Sequence, residues 1–170
     1  MTELRIEKPT VNDVPLILDF VRGLAEYEKL ADSVAASEDR LRKTLFGPNP
    51  SAHALLAYDN DDPVAFAIYF FNYSTFVGRP GLYLEDLFVR PEARGKGFGR
   101  ELLQHLARIA VERDCGRMEW AVLNWNEPAI GFYKRLGAEA MNDWTVFRLS
   151  GDGLKTLAGQ SVRPPDNKVR

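Results

Sequence analysis

Three glycines alternate with two cations and an aromatic ring in Arg94-Gly95-Lys96-Gly97-Phe98-Gly99. An apolar run, Leu82 to Val89, leads into this loop, and an amphipathic segment, Gly99 to Arg113, follows it directly. A strand, a glycine loop and a helix start in that order form a trap for an anion such as phosphate. Glycine lets the backbone approach closely, the first-turn N–H groups have no partner within the helix, and the helix dipole adds partial positive charge. Arg94 and Lys96 supply full charges. No Lys-Ser or Lys-Thr pair follows the glycines, so the Walker pattern is absent; Arg100 and Leu102 stand where the dinucleotide fingerprint needs glycine. Upstream on the strand, Glu85 and Asp86 are adjacent carboxylates in a mostly apolar run. Strict alternation would point them to opposite faces, and a bulge would change which groups converge.

The elements that position these residues follow from periodicity. Leu4 to Glu7 alternates and stops before Pro9, predicting a short first strand. Thr10 and Asp13 open a helix whose apolar positions Val14, Ile17, Leu18, Val21 and Leu24 fall on one face. Ser37 is placed to cap a second, shorter helix through Leu41 and Leu45, closed by Gly47 and Pro48. Ala54 to Tyr58 and Val64 to Tyr73 flank a DNDDP turn and predict an antiparallel pair, with Leu82 to Val89 as a third strand. The helix from Gly99 ends at Gly116, Met118 to Leu123 is strand-like, and Pro128 to Leu136 is a short helix closed by Gly137. Trp144 to Leu149 reads as the last strand. The expected fold class is α/β, one domain over residues 1–158 with helices on both faces of a mixed sheet, followed by a flexible tail at 159–170.

The loop after a strand ending Leu-Phe-Val-x-Pro resembles the acetyl-coenzyme A loop of the GNAT superfamily of N-acetyltransferases. The segment Asn126-Glu127-Pro128-Ala129-Ile130-Gly131-Phe132-Tyr133, running on to Gly137 and Ala138, resembles that superfamily's second coenzyme-binding segment. Closer still, Leu24-Ala25-Glu26-Tyr27-Glu28, Tyr83-Leu84-Glu85-Asp86-Leu87-Phe88-Val89 and Trp125-Asn126-Glu127-Pro128 resemble the diamine, spermidine/spermine, acetyltransferase branch, and this likeness covers most of the chain. The resemblance implies a mostly antiparallel GNAT-like sheet. Two departures are visible. The stretch before Trp144 is only Ala140-Met141-Asn142-Asp143, shorter and less acidic than in polyamine enzymes, and Leu136 replaces an arginine common after the Tyr-Lys-Arg run.

The resemblance also implies a division of labour. An amine is protonated near neutral pH and must lose a proton before attacking a thioester; Glu85 is the implied acceptor of that proton, through water. Tyr133 is the implied donor to the departing coenzyme thiolate, a role suited to a phenol with an ordinary pKa of about 10. Backbone groups of Leu87, Phe88 and Val89 hold the pantetheine arm like an added strand. Arg94, Gly95, Lys96, Gly97, Phe98, Gly99 and Arg100 hold the pyrophosphate, and Asn126, Pro128, Ala129 and Tyr133 complete the coenzyme set. Tyr27, Glu28, Glu85 and Asp86 are the implied acceptor site, carboxylates for cationic nitrogens and a ring for an alkyl-ammonium. The cofactor is acetyl-coenzyme A, the partner a small amine such as a polyamine or thialysine, and the assembly a homodimer.

Composition bounds these readings. The chain has 170 residues, 45% of them hydrophobic, enough for one core without disulfides or metal. A net charge of -2 argues against an electrostatically driven nucleic-acid binder. No apolar run of signal or membrane length occurs, and the lone thiol Cys115 suits a reducing compartment, so the expected location is cytoplasmic. His53 and His105 are too isolated to suggest a metal. Two other functional readings remain at this level: an acetyltransferase for a protein amine or an aminoglycoside, and a catalytically silent acyl-coenzyme A binding module.

Overall fold

The computed structural model describes residues 4–160. The expected tail falls mostly on residues 161–170, outside the described residues. The chain divides into two compact units, residues 1–123 and 124–170.

In the first unit the described strands form one sheet in the order β1-β2-β3-β4-β5: β1 (Leu4–Glu7), β2 (His53–Asp59), β3 (Asp62–Ser74), β4 (Arg79–Val89) and β5 (Met118–Trp120). The first four pair antiparallel and β4 pairs parallel with β5. The mixed, mostly antiparallel sheet agrees with the sequence reading. Helices α1 (Val14–Tyr27) and α2 (Glu38–Phe46) cover one face. There Ile17 and Phe20 of α1 pack with Ala54, Leu56, Phe66, Ile68 and Phe88, and Leu41 and Leu45 of α2 close the layer. The alternate residues Leu55, Ala65 and Ala67 are fully buried on the other face, where α3 (Phe98–Glu112) lays Leu102, Leu103 and Leu106 against the sheet.

Local chemistry explains the boundaries. Thr10 and Asp13 open a helix as expected; they do so through a capping box on a short 3-10 turn, Val11–Asp13, that leads into α1. Ser37 caps α2 by accepting from the Arg40 amide at 3.3 Å. The sequence points to Gly116 as the end of α3, whereas Asp114 takes the left-handed conformation, at φ 54°, and the Cys115 amide donates back to Ala110 at 2.9 Å.

The second unit holds α4 (Glu127–Arg135) and α5 (Gly151–Leu157). Pro128 lies in the first turn of α4, and Gly137 follows at φ 88°. The strand expected at Trp144 to Leu149 is not formed: residues 138–150 carry neither helix nor strand. A strand exists through its ladder partners, and no described strand pairs with this segment. Its Trp144, Val146 and Phe147 are 72%, 86% and 92% exposed. The sequence does not signal α5, because Gly151 and Gly153 weaken the helical pattern there.

Candidate active site

The site in the first unit is built on an irregularity of β4. Leu84 stands opposite Tyr69 and Asp86 opposite Ile68, so Glu85 is an extra residue with no partner on β3. The bulge reverses the alternation of side chains. Without it Asp86 would share a face with Leu82 and Leu84; with it Asp86 joins Ile68 and Phe88 on the face covered by α1. Glu85 is exposed and Asp86 half-buried.

Asp86 lines a cleft of about 280 Å³ together with Glu28 at the end of α1. Val21, Leu24 and Leu30 form apolar walls, and the short side chains of residues 33–36 close one side. Burial pushes the Asp86 carboxyl up to about 6, with the negative charges of Glu85 and Glu28 adding to the effect. Burial also raises the Glu28 carboxyl from its ordinary value. Two carboxyl groups whose ionisation is resisted, in an apolar-walled cleft, form a place that a cation stabilises.

Helix α1 comes close to β4 at Gly23, where a Cβ would stand 3.1 Å from the Phe88 ring. Its last residue, Tyr27, lies beneath the Arg94 guanidinium, 4.5 Å from the ring centroid, and Arg94 also reaches over Phe88 at 5.5 Å. The Arg94 Nε donates to the Val89 carbonyl at 3.0 Å. Lys96 turns instead to Asp59 at the end of β2, Nζ to carboxylate oxygen 3.1 Å. The Lys96 Nζ also stands 5.7 Å from the centroid of the Phe98 ring, within the loop.

The loop carries the expected backbone. Gly95 and Gly97 have φ of 80° and 91°, the left-handed region that side chains resist. Gly97 is the N-cap of α3, no side chain caps the helix there, and Arg100 is exposed. The amides of the first turn therefore present a cradle suited to a phosphate. Upstream, β5 pairs with β4 only from Leu82 to Leu84. Beyond that point, among the described residues, no strand pairs with the side of Leu87, Phe88 and Val89 turned away from β3, the geometry that adding an extended pantetheine arm requires.

In the second unit Asn126 is buried and caps α4, its side-chain oxygen accepting from the Ala129 amide at 3.4 Å. Tyr133 is half-buried beside Phe132, ring centroids 5.5 Å apart. Lys134 and Arg135 are exposed in the last turn. Among the described residues no group of three or more His, Cys, Asp or Glu side chains could hold a metal ion.

Of the predicted acceptor set, Glu28 and Asp86 share the cleft, Glu85 sits at the bulge outside its lining, and Tyr27 is engaged with Arg94. The apolar walls from Leu30 and Val34 were missed by sequence reasoning, because residues 30–36 carry no periodicity to mark them.

The chain is similar to known proteins in sequence and in fold. The model of the Acetyltransferase (GNAT) family matches residues 21–138. The thialysine N-epsilon-acetyltransferase of Sus scrofa is 39% identical over 171 residues, covering 94% of this chain and all of that protein. The L-ornithine N5-acetyltransferase NATA1 of Arabidopsis thaliana is 32% identical, covering 90% of this chain and 87% of that one. Among solved structures, the integron cassette protein VCH_CASS6 of V. cholerae superposes with a TM-score of 0.76 at 31% identity, covering 93% of this chain and 98% of its own.

Proposed function

We propose that this chain, which belongs to the Acetyltransferase (GNAT) family, transfers the acetyl group of acetyl-coenzyme A to the primary amine of a small cationic acceptor, a diamine, a polyamine or a thialysine-like amine. It is an acetyl-coenzyme A dependent N-acetyltransferase. The observation that supports the acceptor class is the pairing of Glu28 and Asp86 in one apolar-walled cleft, which suits an alkyl chain bearing protonated nitrogens. The thialysine and ornithine acetyltransferases among its relatives are named for small amines of this chemistry.

In the proposed reaction the pyrophosphate lies on the amides of the Gly95–Gly99 loop and the first turn of α3, with Arg94, Lys96 and Arg100 as charge partners. The pantetheine arm extends β4 at Leu87, Phe88 and Val89, whose amides polarise the thioester carbonyl. Asn126, Pro128 and Ala129 contact the coenzyme from α4. The acceptor nitrogen loses a proton toward the carboxylates of β4, with Glu85 as the exit to solvent, and attacks the carbonyl. Tyr133 gives its phenolic proton to the departing thiolate.

The homodimer implied by the family resemblance is part of this reading. The exposed apolar run around Trp144 to Phe147 supports it, because such surface usually belongs to an interface. The cytoplasmic location is likewise proposed, supported by the lone thiol Cys115.

The test is thiol release from acetyl-coenzyme A with spermidine, spermine, putrescine, thialysine, lysine, a short peptide and an aminoglycoside as acceptors. Acceleration by the diamines or thialysine supports the proposal. Acceleration by only the peptide or the aminoglycoside replaces the acceptor, and acceleration by none, with coenzyme still raising Tm, leaves a binding module.

A further inference from the structure

The first strand is an open edge of the sheet: β1 pairs with β2 on one side and, among the described residues, with no strand on the other. Such an edge presents backbone N–H and C=O groups to any chain that can align with it. Beside it lies a groove of about 330 Å³, walled by Leu4 and Ile6 of β1 and by Glu101, Gln104, His105 and Arg108 of α3. The four helix positions follow the spacing of a single stripe. We propose that this edge and this stripe bind a second copy of the chain. The two copies pair β1 to β1, antiparallel about a two-fold axis at Ile6, with Glu101 of each copy opposite Arg108 of the other.

Charge identifies the partner. A two-fold contact joins the same patch on both copies, so the patch must complement itself when turned end for end. The stripe does so: it carries a carboxylate at one end and a guanidinium at the other, with the Gln104 amide and the His105 imidazole between them. Among the described residues neither Glu101 nor Arg108 is held in an ion pair. Burial first, and then the Arg108 charge, keep His105 below its ordinary value. The middle of the stripe therefore brings no further positive charge to the axis at neutral pH.

The strand repeats the pattern on the opposite face of the sheet. Residues directly opposite in an antiparallel pair share a face. With Ile6 on the axis, Arg5 stands opposite Glu7 and Glu7 opposite Arg5. With Arg5 on the axis, two guanidinium groups would meet, and like charges directly opposite are destabilising. Arg5 and Glu7 already pair within one chain at 2.6 Å, both half exposed, and the same charges can be shared between two strands. A short, charged edge strand ordinarily guards against stray pairing. Here the alternation of sign admits one partner, the same strand reversed. The contact draws on the first unit alone and uses none of the run around Trp144 to Phe147.

The test measures association by sedimentation velocity across about 1–100 μM for wild type, Glu101→Arg, Arg108→Glu and the double reversal of both, with Tm reporting that each folds. Each single reversal acts twice by symmetry and is expected to weaken association about tenfold or more, and the double reversal to restore it. A second arm places a thiol on the axis, Ile6→Cys in a Cys115→Ser background. Antiparallel partners there have Cα atoms about 4.5–5.5 Å apart, within disulfide reach. Mild oxidation is expected to link two native chains and to leave chains in denaturant largely unlinked. The arms decide independently, so one variant that fails to fold leaves the other to answer. The proposal is overturned if wild type stays monomeric throughout the range, or if the double reversal associates no better than the single ones. It is equally overturned if wild type associates while Ile6→Cys does not cross-link, which would put the contact on another surface. Association is read without turnover, so inactivity toward every amine would leave the result unchanged.

Discussion

Gly23 of α1 lies against Phe88 of β4 so closely that a Cβ at position 23 would stand 3.1 Å from one ring carbon and 3.4 Å from the next. This approach sets how near the last turn of α1, with Tyr27 and Glu28, comes to the strand carrying Asp86. The cleft width is thus fixed by a glycine several residues away from either carboxylate.

A larger residue at that point should act on both stability and acceptor binding. Gly23→Ala gains helix propensity and displaces only a ring edge, so the two effects nearly cancel. Gly23→Val adds atoms to a packed core and is expected to cost roughly 1–3 kcal/mol. It should also raise the acceptor KM while the coenzyme KM stays near wild type. Thermal unfolding together with separate titration of the two substrates checks this.

The raised pKa of Asp86 makes a second prediction, about stability. The folded-state value is about 6 against an ordinary value of 3.8, so the folded protein binds the proton more tightly than the unfolded chain does. Where the unfolded state holds fewer protons, stability falls as pH rises. Asp86 therefore weighs against folding above about pH 6, and the cost fades as pH drops toward 4. Asp86→Asn, which cannot ionise, is expected to be more stable than wild type at pH 8 by roughly 3 kcal/mol. The gap should shrink to a small fraction of that near pH 4. Chemical denaturation at both pH values measures it, and a gap that widens on acidification would contradict the assignment of the shift.

Much of this arrangement was legible in the residues. Helical spacing marked α1 and α3, Ser37 marked a cap, and the glycine loop marked an anion cradle, because each is a local signal carried by a few neighbouring residues. The bulge could be raised only as a possibility: Glu85 and Asp86 look the same in a strictly alternating strand and in a bulged one, and only the register against Tyr69 and Ile68 tells them apart. Trp144 to Leu149 has strand-like residues yet no ladder, since pairing depends on a partner distant in sequence. Arg94 and Lys96 were visible as charges, but their long stems can turn many ways, and the rings of Tyr27 and Phe88 and the carboxylate of Asp59 decide which.

The coenzyme loop yields a third prediction. A Cβ at Gly97 meets nothing within 4 Å, so Gly97→Ala has no steric clash; its cost is the φ of 91°. That is on the order of 1 kcal/mol of stability. The larger effect should fall on coenzyme affinity, because the added methyl crowds the approach of a phosphate to the first amides of α3. A tenfold rise in the coenzyme Kd, about 1.4 kcal/mol, with the acceptor KM unchanged, is the expected result in isothermal titration and steady-state assays.

The last prediction concerns Tyr133. Its ring packs beside Phe132 on α4, so Tyr133→Phe keeps the apolar body and removes only the hydroxyl. Coenzyme affinity should change little. Without a donor the leaving group departs as a bare thiolate, and the loss of one proton transfer is worth typically 10²- to 10⁴-fold in rate. The defect should be smallest for an acyl donor whose thiol is intrinsically acidic, since such a group needs no proton to leave. An acetyl thioester of an aryl thiol, compared with acetyl-coenzyme A in both proteins, separates a proton donor from a packing residue. If Tyr133→Phe slows both donors equally, the hydroxyl serves structure and not the departing sulfur.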